Sequence, residues 1–322
     1  MTTPSQRRTR PVWPEIPAHV RGALEGRLGA PVTAWTSHDG GYTPGMASTL
    51  RTSRGDVFVK AVSAEHDFSA AMYRREAGRS ALLPDGVPAP RLRWLAEVSG
   101  PSGDDWVVVA FDALTGNTPR VPWQPDELDV VMDLAARIAE HEIAPGVLPE
   151  MADEWPPGLT QRLADERPAG LSSYDPWFAD HLDRLAEIEG DVVEAVAGTS
   201  LLHGDLRGDN AVVVEDPSGA GMRAIAVDWP FAVRGAAYTD VVGMLPSVRL
   251  EGGPPPWEVL ERHPLPSGTD DDAVRAYVVS LTGYFVHSSL QPPPPAIPHV
   301  RSFQRAQAEV CIDWLRRPRP IA

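Results

Sequence analysis

The sequence changes character once, and that change limits the folds open to it. Up to Thr115-Gly116 it is a series of short strand signals at 32–37, 47–52, 57–62, 91–98 and 106–113. Gly-containing turns separate them, among them Ser53-Arg54-Gly55-Asp56 and Gly100-Pro101-Ser102-Gly103, and helical patterns interrupt only at 16–28 and 68–83. Beyond Gly116 helical patterns dominate. Leu128, Val131, Met132, Ala135 and Ile138 recur at helical spacing within 125–143, and similar stretches lie at 174–197, 271–290 and 299–317. Short strand signals remain at 200–203, 211–215 and 223–228. Strands gathered in one part and helices in the other predict an α+β chain, a small antiparallel-sheet lobe with one key helix followed by a larger, mainly helical lobe. The 322 residues suit two such lobes. The expected division is a disordered, basic, Pro-containing lead-in at 1–15, a first lobe at 16–114 and a second at 115–322. Pro254-Pro255-Pro256 and the prolines at 292–295 read as rigid connectors.

Composition removes several classes of function. A net charge of −15 argues against a general nucleic-acid binder, which needs a basic footprint. Cys311 is the only cysteine, so neither a disulfide within the chain nor a cysteine-based zinc site can form. No apolar run reaches 18 residues, which predicts no membrane span. Arg7, Arg8 and Arg10 are followed by Pro11, Trp13, Pro14 and Glu15 rather than by an apolar segment, so no signal peptide is expected and a cytoplasmic location is the reading. One bias is informative in another way. Lys60 is the only lysine among 29 basic residues, and Asn117 and Asn210 are the only asparagines. A GC-rich coding sequence replaces lysine by arginine wherever charge alone matters. A lysine that survives marks a place where a compact ammonium can do what a guanidinium fork cannot.

The strongest local signal is Leu201-Leu202-His203-Gly204-Asp205-Leu206-Arg207-Gly208-Asp209-Asn210, a polar loop between two strand signals. Asp205 and Asn210 stand five apart, and Asp228 follows in Ile225-Ala226-Val227-Asp228-Trp229. Phosphoryl transfer needs such a set: a carboxylate to orient the acceptor hydroxyl and take its proton, and an amide oxygen with a second carboxylate to hold Mg²⁺ against nucleotide phosphates. These residues resemble the aminoglycoside phosphotransferase family, which is related to choline kinases and built on the protein-kinase-like two-lobe fold. The family's H-G-D-x-x-x-x-N is matched at every fixed position, and Gly235 and Asp240 match the G-x-x-x-x-D that follows its metal aspartate. The resemblance runs from about 35 to 245. It implies Asp205 as catalytic base, Asn210 and Asp228 as Mg²⁺ ligands, His203 as support for the loop and Asp240 as its anchor. The chain departs from the family at Trp229-Pro230, where a glycine-like position is expected.

The first lobe tests the same idea. The resemblance calls for a lysine on the third strand, and Val57-Phe58-Val59-Lys60-Ala61-Val62 supplies it. Glu76 on the following helix matches the family's partner for that lysine, with Glu65 as the alternative, while Arg74 and Arg75 read as helix-surface residues. The stretch 39–48 suits a loop whose backbone amides cover phosphates, with Gly41 and Ser48 as nucleotide contacts. The strand 106–113 resembles the hinge strand, which implies adenine contacts from backbone groups of Asp112 and Leu114. The implied reaction is transfer of the γ-phosphoryl group of ATP, with Mg²⁺, to a hydroxyl of a small molecule: an aminoglycoside-like antibiotic, a sugar or an amino alcohol. Two rivals stand beside it, a nucleotide-binding pseudokinase without turnover and a metal-dependent hydrolase using His203, Asp205 and Asp209. For the acceptor, Asp209, Glu251 and Asp270 to Asp272 are the acidic candidates. Asp270 to Asp272 read first as a helix cap, and Tyr284, Phe285, His287 and Trp314 read as core.

Overall fold

The computed structural model describes residues 10–38, 44–100, 103–219, 221–294 and 299–317. It divides into two compact units. The first comprises the described residues up to Leu83, Ala89–Gly116 and Val227–Pro230; the second comprises Pro84–Pro88, Asn117–Ala226 and the described residues from Phe231 onward.

In the first unit α1 (Ala18–Leu28) precedes β1 (Val32–Ser37), β2 (Met46–Thr52) and β3 (Gly55–Ser63). Then come α2 (Asp67–Ser80), β4 (Leu92–Val98) and β5 (Trp106–Asp112). The five strands form one antiparallel sheet in the order β1-β2-β3-β5-β4. Strand residues alternate between faces, and both faces are covered. Val57, Val59 and Ala61 join Val108 and Ala110 in a core with Val20 and Leu24 of α1. Val62, Val107, Val109 and Phe111 face Ala70, Tyr73 and Ala77 of α2. Lys60 shares the second face, since it pairs with Val109 across the β3–β5 ladder. The expected disordered lead-in does not extend to residue 15. Trp13–Glu15 form a 3-10 turn, and Trp13 is 4% exposed, packed with Ile16 in the α1-side core. An indole that can be buried next to the sheet outweighs the disorder that the surrounding prolines and charges favour.

The second unit opens with α3 (Pro125–Ala139), α4 (Met151–Glu154), α5 (Leu159–Glu166), α6 (Pro176–Glu189) and α7 (Val192–Ala195). The five apolar residues expected to line α3 are all buried. The helix expected at 174–197 is two pieces, broken at Gly190, where helix propensity is low. Next come β6 (Ser200–Leu202), β7 (Ala211–Glu215), β8 (Met222–Ala226) and β9 (Val233–Gly235). They pair as two antiparallel ribbons, β6 with β9 and β7 with β8. α8 (Thr239–Leu250), α9 (Pro256–Arg262), α10 (Asp271–Ser289) and α11 (Val300–Leu315) complete the unit. α10 is its central post, buried on most sides, and Gly283 lets α5 approach so closely that a Cβ there would lie 2.1 Å from Thr160 Oγ1. Asp270 caps α10 by accepting from the Asp272 amide, as its position before the helix predicts. No helix among the described residues is long and apolar enough to cross a membrane.

Candidate active site

In the first unit the site is a cluster of charges built around the buried Glu76. Strand alternation puts Lys60 on the α2 face of the sheet, and Glu76 lies one helical turn beyond Tyr73 on the buried side of α2. The Lys60 Nζ donates to both Glu76 carboxylate oxygens at 2.8 Å and to Asp228 Oδ1 at 3.0 Å, and sits 5.9 Å from the Tyr73 ring centre. Burial works against the Lys60 ammonium, but the Asp228 and Glu76 carboxylates outweigh it and hold its pKa above the ordinary value. The Glu76 carboxyl, 2% exposed, is pushed up to about 7 by burial, against the pull of Lys60 and with the repulsion of Asp228 added. Glu65, the alternative, lies on the turn before α2 and its amide donates to Ser63 Oγ. Glu76 therefore takes the partner position.

Asp228 does not end a strand as expected. β8 stops at Ala226, and Asp228 adopts φ +66, a left-handed conformation that aspartate tolerates better than most residues. Its side chain remains 44% exposed although one oxygen meets Lys60. The segment is held from behind. Trp229 is buried and the Arg75 Nε donates to the Pro230 carbonyl at 2.6 Å. Arg75 is thus a brace and not a helix-surface residue, whereas Arg74 does pair at the surface, with Glu97.

In the second unit the 203–210 loop is fixed through its backbone. Asp240, in the first turn of α8, accepts from the His203 amide at 2.6 Å and the Gly204 amide at 2.9 Å. Burial raises the pKa of Asp240, opposed by the polar His203 residue beside it and by these two hydrogen bonds. His203 is fully buried, and its Nδ1 accepts from the Asp205 amide at 3.3 Å. It serves the loop, which leaves the hydrolase rival without its histidine ligand. Gly204 has φ +79, and a Cβ there would lie 2.2 Å from the Phe231 carbonyl oxygen. Only glycine fits that turn.

Asp205 is thereby presented with its side chain 41% exposed. The Asn210 Nδ2 donates to the Asp205 carbonyl at 2.8 Å and to its Oδ2 at 3.3 Å. The amide donor is spent inside the loop, so Oδ1 is the atom Asn210 can offer a hard cation. Sequence reasoning gave little weight to Arg207, whose guanidinium spans Asp205 (3.5 Å) and Asp209 (2.9 Å) and lies over Phe303. It also missed Trp123. The Trp123 indole N–H donates to Glu251 at 2.8 Å, and Gly208 packs so tightly against that pair that a Cβ would lie 2.8 Å from the ring. The glycine next to Asp209 was the available signal.

Other expected contacts fare differently. Gly41 lies outside the described residues. Ser48 is not placed to meet a phosphate: it pairs with Val59, so its side chain points to the α1-side core, fully buried, with the Ser37 hydroxyl at 3.4 Å. The Asp112 amide is committed to the Arg91 carbonyl at 3.0 Å, which narrows the adenine reading to the Asp112 carbonyl and Leu114.

A family model described as the phosphotransferase enzyme family matches residues 47–277. Among solved structures, a thermostable mutant of the aminoglycoside phosphotransferase APH(4)-Ia in its apo form is 14% identical, with 92% of this chain and 98% of that one covered and a TM-score of 0.57. A ternary complex of a mutant of the same enzyme with ADP and hygromycin B gives 13%, 93%, 98% and 0.56. The GDP and kanamycin complex of APH(2")-IIia gives 15%, 93%, 98% and 0.55. At these identities the likeness is one of fold, the protein-kinase-like arrangement of a five-stranded sheet unit and a helical unit. No curated protein matches the sequence.

Proposed function

Because the chain belongs to the phosphotransferase enzyme family, we propose that it moves the γ-phosphoryl group of ATP to a hydroxyl of a small molecule. The observation that carries this reading is the chain's one lysine, gripped at 2.8 Å by both oxygens of the buried Glu76. Such a pair holds a positive point charge ready for phosphate oxygens. Asp205 is the base. It accepts the proton of the acceptor hydroxyl while that oxygen forms its bond to phosphorus, the bond to the β-phosphate oxygen breaks in line, and ADP departs. Lys60, released in part from Asp228, meets the α- and β-phosphates. Asn210 through Oδ1 and Asp228 through its carboxylate would be ligands of Mg²⁺, which when bound neutralises phosphate charge. The Asp112 carbonyl and Leu114 face the adenine edge. The ADP, GDP, hygromycin B and kanamycin complexes of proteins with this fold support a nucleotide and a hydroxylated acceptor. A cytoplasmic setting, where ATP is supplied, suits the reading.

The test is ADP formation from Mg·ATP with a panel of hydroxylated compounds, for wild type and Asp205→Ala. Acceptor-stimulated ADP release, reduced by about 10²–10⁴ in the variant with nucleotide binding intact, is the expected result. Tight Mg·ATP binding with no stimulation in either protein would replace the kinase by a nucleotide-sensing module.

A further inference from the structure

The second unit contains a cavity of about 640 Å³ where the start of α3, the end of α8, α9 and the Gly252-Gly253 turn come together. That size lies within the about 300–1,000 Å³ of small-molecule pockets. Its apolar walls are Trp123, Leu128, Pro255 and Trp257. The Arg317 guanidinium covers one face of Trp257 at 3.6 Å from the ring centre and holds the indole in place.

The cavity adjoins the loop that carries Asp205, because they share a wall. Trp123 lines the cavity, donates to Glu251 and presses on Gly208, three residues after Asp205. The charges around the cavity balance: Arg249 and Arg262 stand against Glu258 and Asp313. Arg262 is further tied to Asp129 at 2.8 Å. Glu251 is not one of the residues that line the cavity; it accepts from the Trp123 indole N–H at 2.8 Å. Burial raises its pKa, against the pull of that hydrogen bond. Among the residues that line it, a polycation would meet two arginines with no excess of carboxylates, whereas sugar-like rings stack on indole faces and bond to either kind of charged group.

We propose that this cavity takes the ring body of the phosphoryl acceptor, and that the acceptor is a hydroxylated ring compound of glycoside type without net positive charge. This rests on the phosphotransferase reading above.

The test uses the full chain with Mg·AMP-PNP and follows tryptophan emission during titration with phenyl β-glucoside, phenyl β-glucosaminide (the same ring with one ammonium) and kanamycin. ADP formation from Mg·ATP is measured in parallel. Phenyl β-glucoside should give a saturable change that Trp257→Phe diminishes, and Trp257→Ala should raise its Kd about tenfold. The glucosaminide should bind more weakly, kanamycin should give no change that depends on Trp257, and the glucoside should stimulate ADP release. Failure of the glucoside to bind, binding indifferent to Trp257, Trp257-dependent binding of kanamycin, or a bound glucoside that does not stimulate ADP release would each overturn the assignment. Mg·ATP binding, measured on the same samples, separates the two levels. If it is present while the glucoside fails, this inference alone falls; if it is absent, the phosphotransferase reading falls first.

Discussion

The cluster around Lys60 and the loop around Asp205 are held by different forces. Around Lys60 the order comes from charge, an ammonium and two carboxylates brought together at one sheet face, with Lys60 and Glu76 largely removed from water and Asp228 partly exposed. Around Asp205 it comes from the backbone, with two amides on Asp240, a left-handed glycine against the Phe231 carbonyl and a second glycine against Trp123. The first arrangement tolerates small changes of shape but answers to protonation and charge deletion. The second is indifferent to modest changes of charge at its surface but cannot accept a methyl group. The division suits the chemistry, since a phosphate clamp must respond to charge while a base must be held in one place. The sharpest way to break the comparison is therefore Gly204→Ala. The left-handed conformation and the clash with Phe231 should together destabilise the protein by about 2–6 kcal/mol. Urea denaturation would read that loss, and the remaining folded protein should lack turnover even though no charge has changed. A Gly204→Ala protein with wild-type stability would show that the loop is not backbone-limited.

The corresponding charge deletion is Lys60→Met. It leaves Glu76 and Asp228 near each other without their cation, and removing one partner from a buried ion pair costs about 3–5 kcal/mol. The comparison predicts a rescue that the glycine variant cannot have. Adding Glu76→Gln removes the stranded charge, so Lys60→Met/Glu76→Gln should recover much of the urea midpoint while remaining inactive. If the double variant is no more stable than the single one, packing and not charge holds this cluster.

Protonation probes the same cluster more gently. With its carboxyl pushed up to about 7, Glu76 gains a proton as pH falls through that value and loosens its hold on Lys60. The kcat/KM for ATP reports groups of the free enzyme, and it should fall across that window. Glu76→Gln should sit near the low-pH plateau at every pH and lack the inflection. Stability has the opposite sign. A carboxyl whose folded pKa is raised contributes stability that is present below its ordinary value of 4.5 and lost as pH rises through about 7. The wild type should therefore lose ground to Glu76→Gln from acid to neutral pH. Lys60, with its pKa raised above 10.5, stays charged throughout and contributes no slope there.

The parts legible in the sequence were those where a short-range rule applies. Alternation along β3 identifies the face of Lys60, helical spacing lines α3, and the H-G-D-x-x-x-x-N spacing marks one loop that the structure closes on itself through Asn210 and Asp205. Other features depend on partners distant in sequence. Arg75 braces Pro230 through a backbone carbonyl 155 positions away, and a carbonyl leaves no mark in a sequence. α8 escaped because Val241, Val242, Met244, Leu245 and Val248 are all buried, which erases the amphipathic period, and Pro246 lies inside the helix. Trp13 looked like part of a polar tail because the core cluster it joins, with Val20 of α1 and Val59 of β3, assembles only in the fold.

Ser48 shows how little separates a correct strand from a wrong site. The strand is where the pattern puts it, yet a residue one place away in register faces the opposite side. Ala47 pairs with Lys60, and Ser48 pairs with Val59 and turns into the core. A phosphate-binding serine next to a nucleotide and a buried serine beside Ser37 make different predictions for one substitution. Ser48→Ala removes a hydroxyl whose contact with Ser37 spans 3.4 Å, at a cost of about 0.5–1.5 kcal/mol. It should lower the melting temperature slightly and leave the KM for ATP unchanged. A severalfold rise in that KM with no change in melting temperature would return Ser48 to the phosphates, and would mean that the charge-held region reaches through the sheet to its other face.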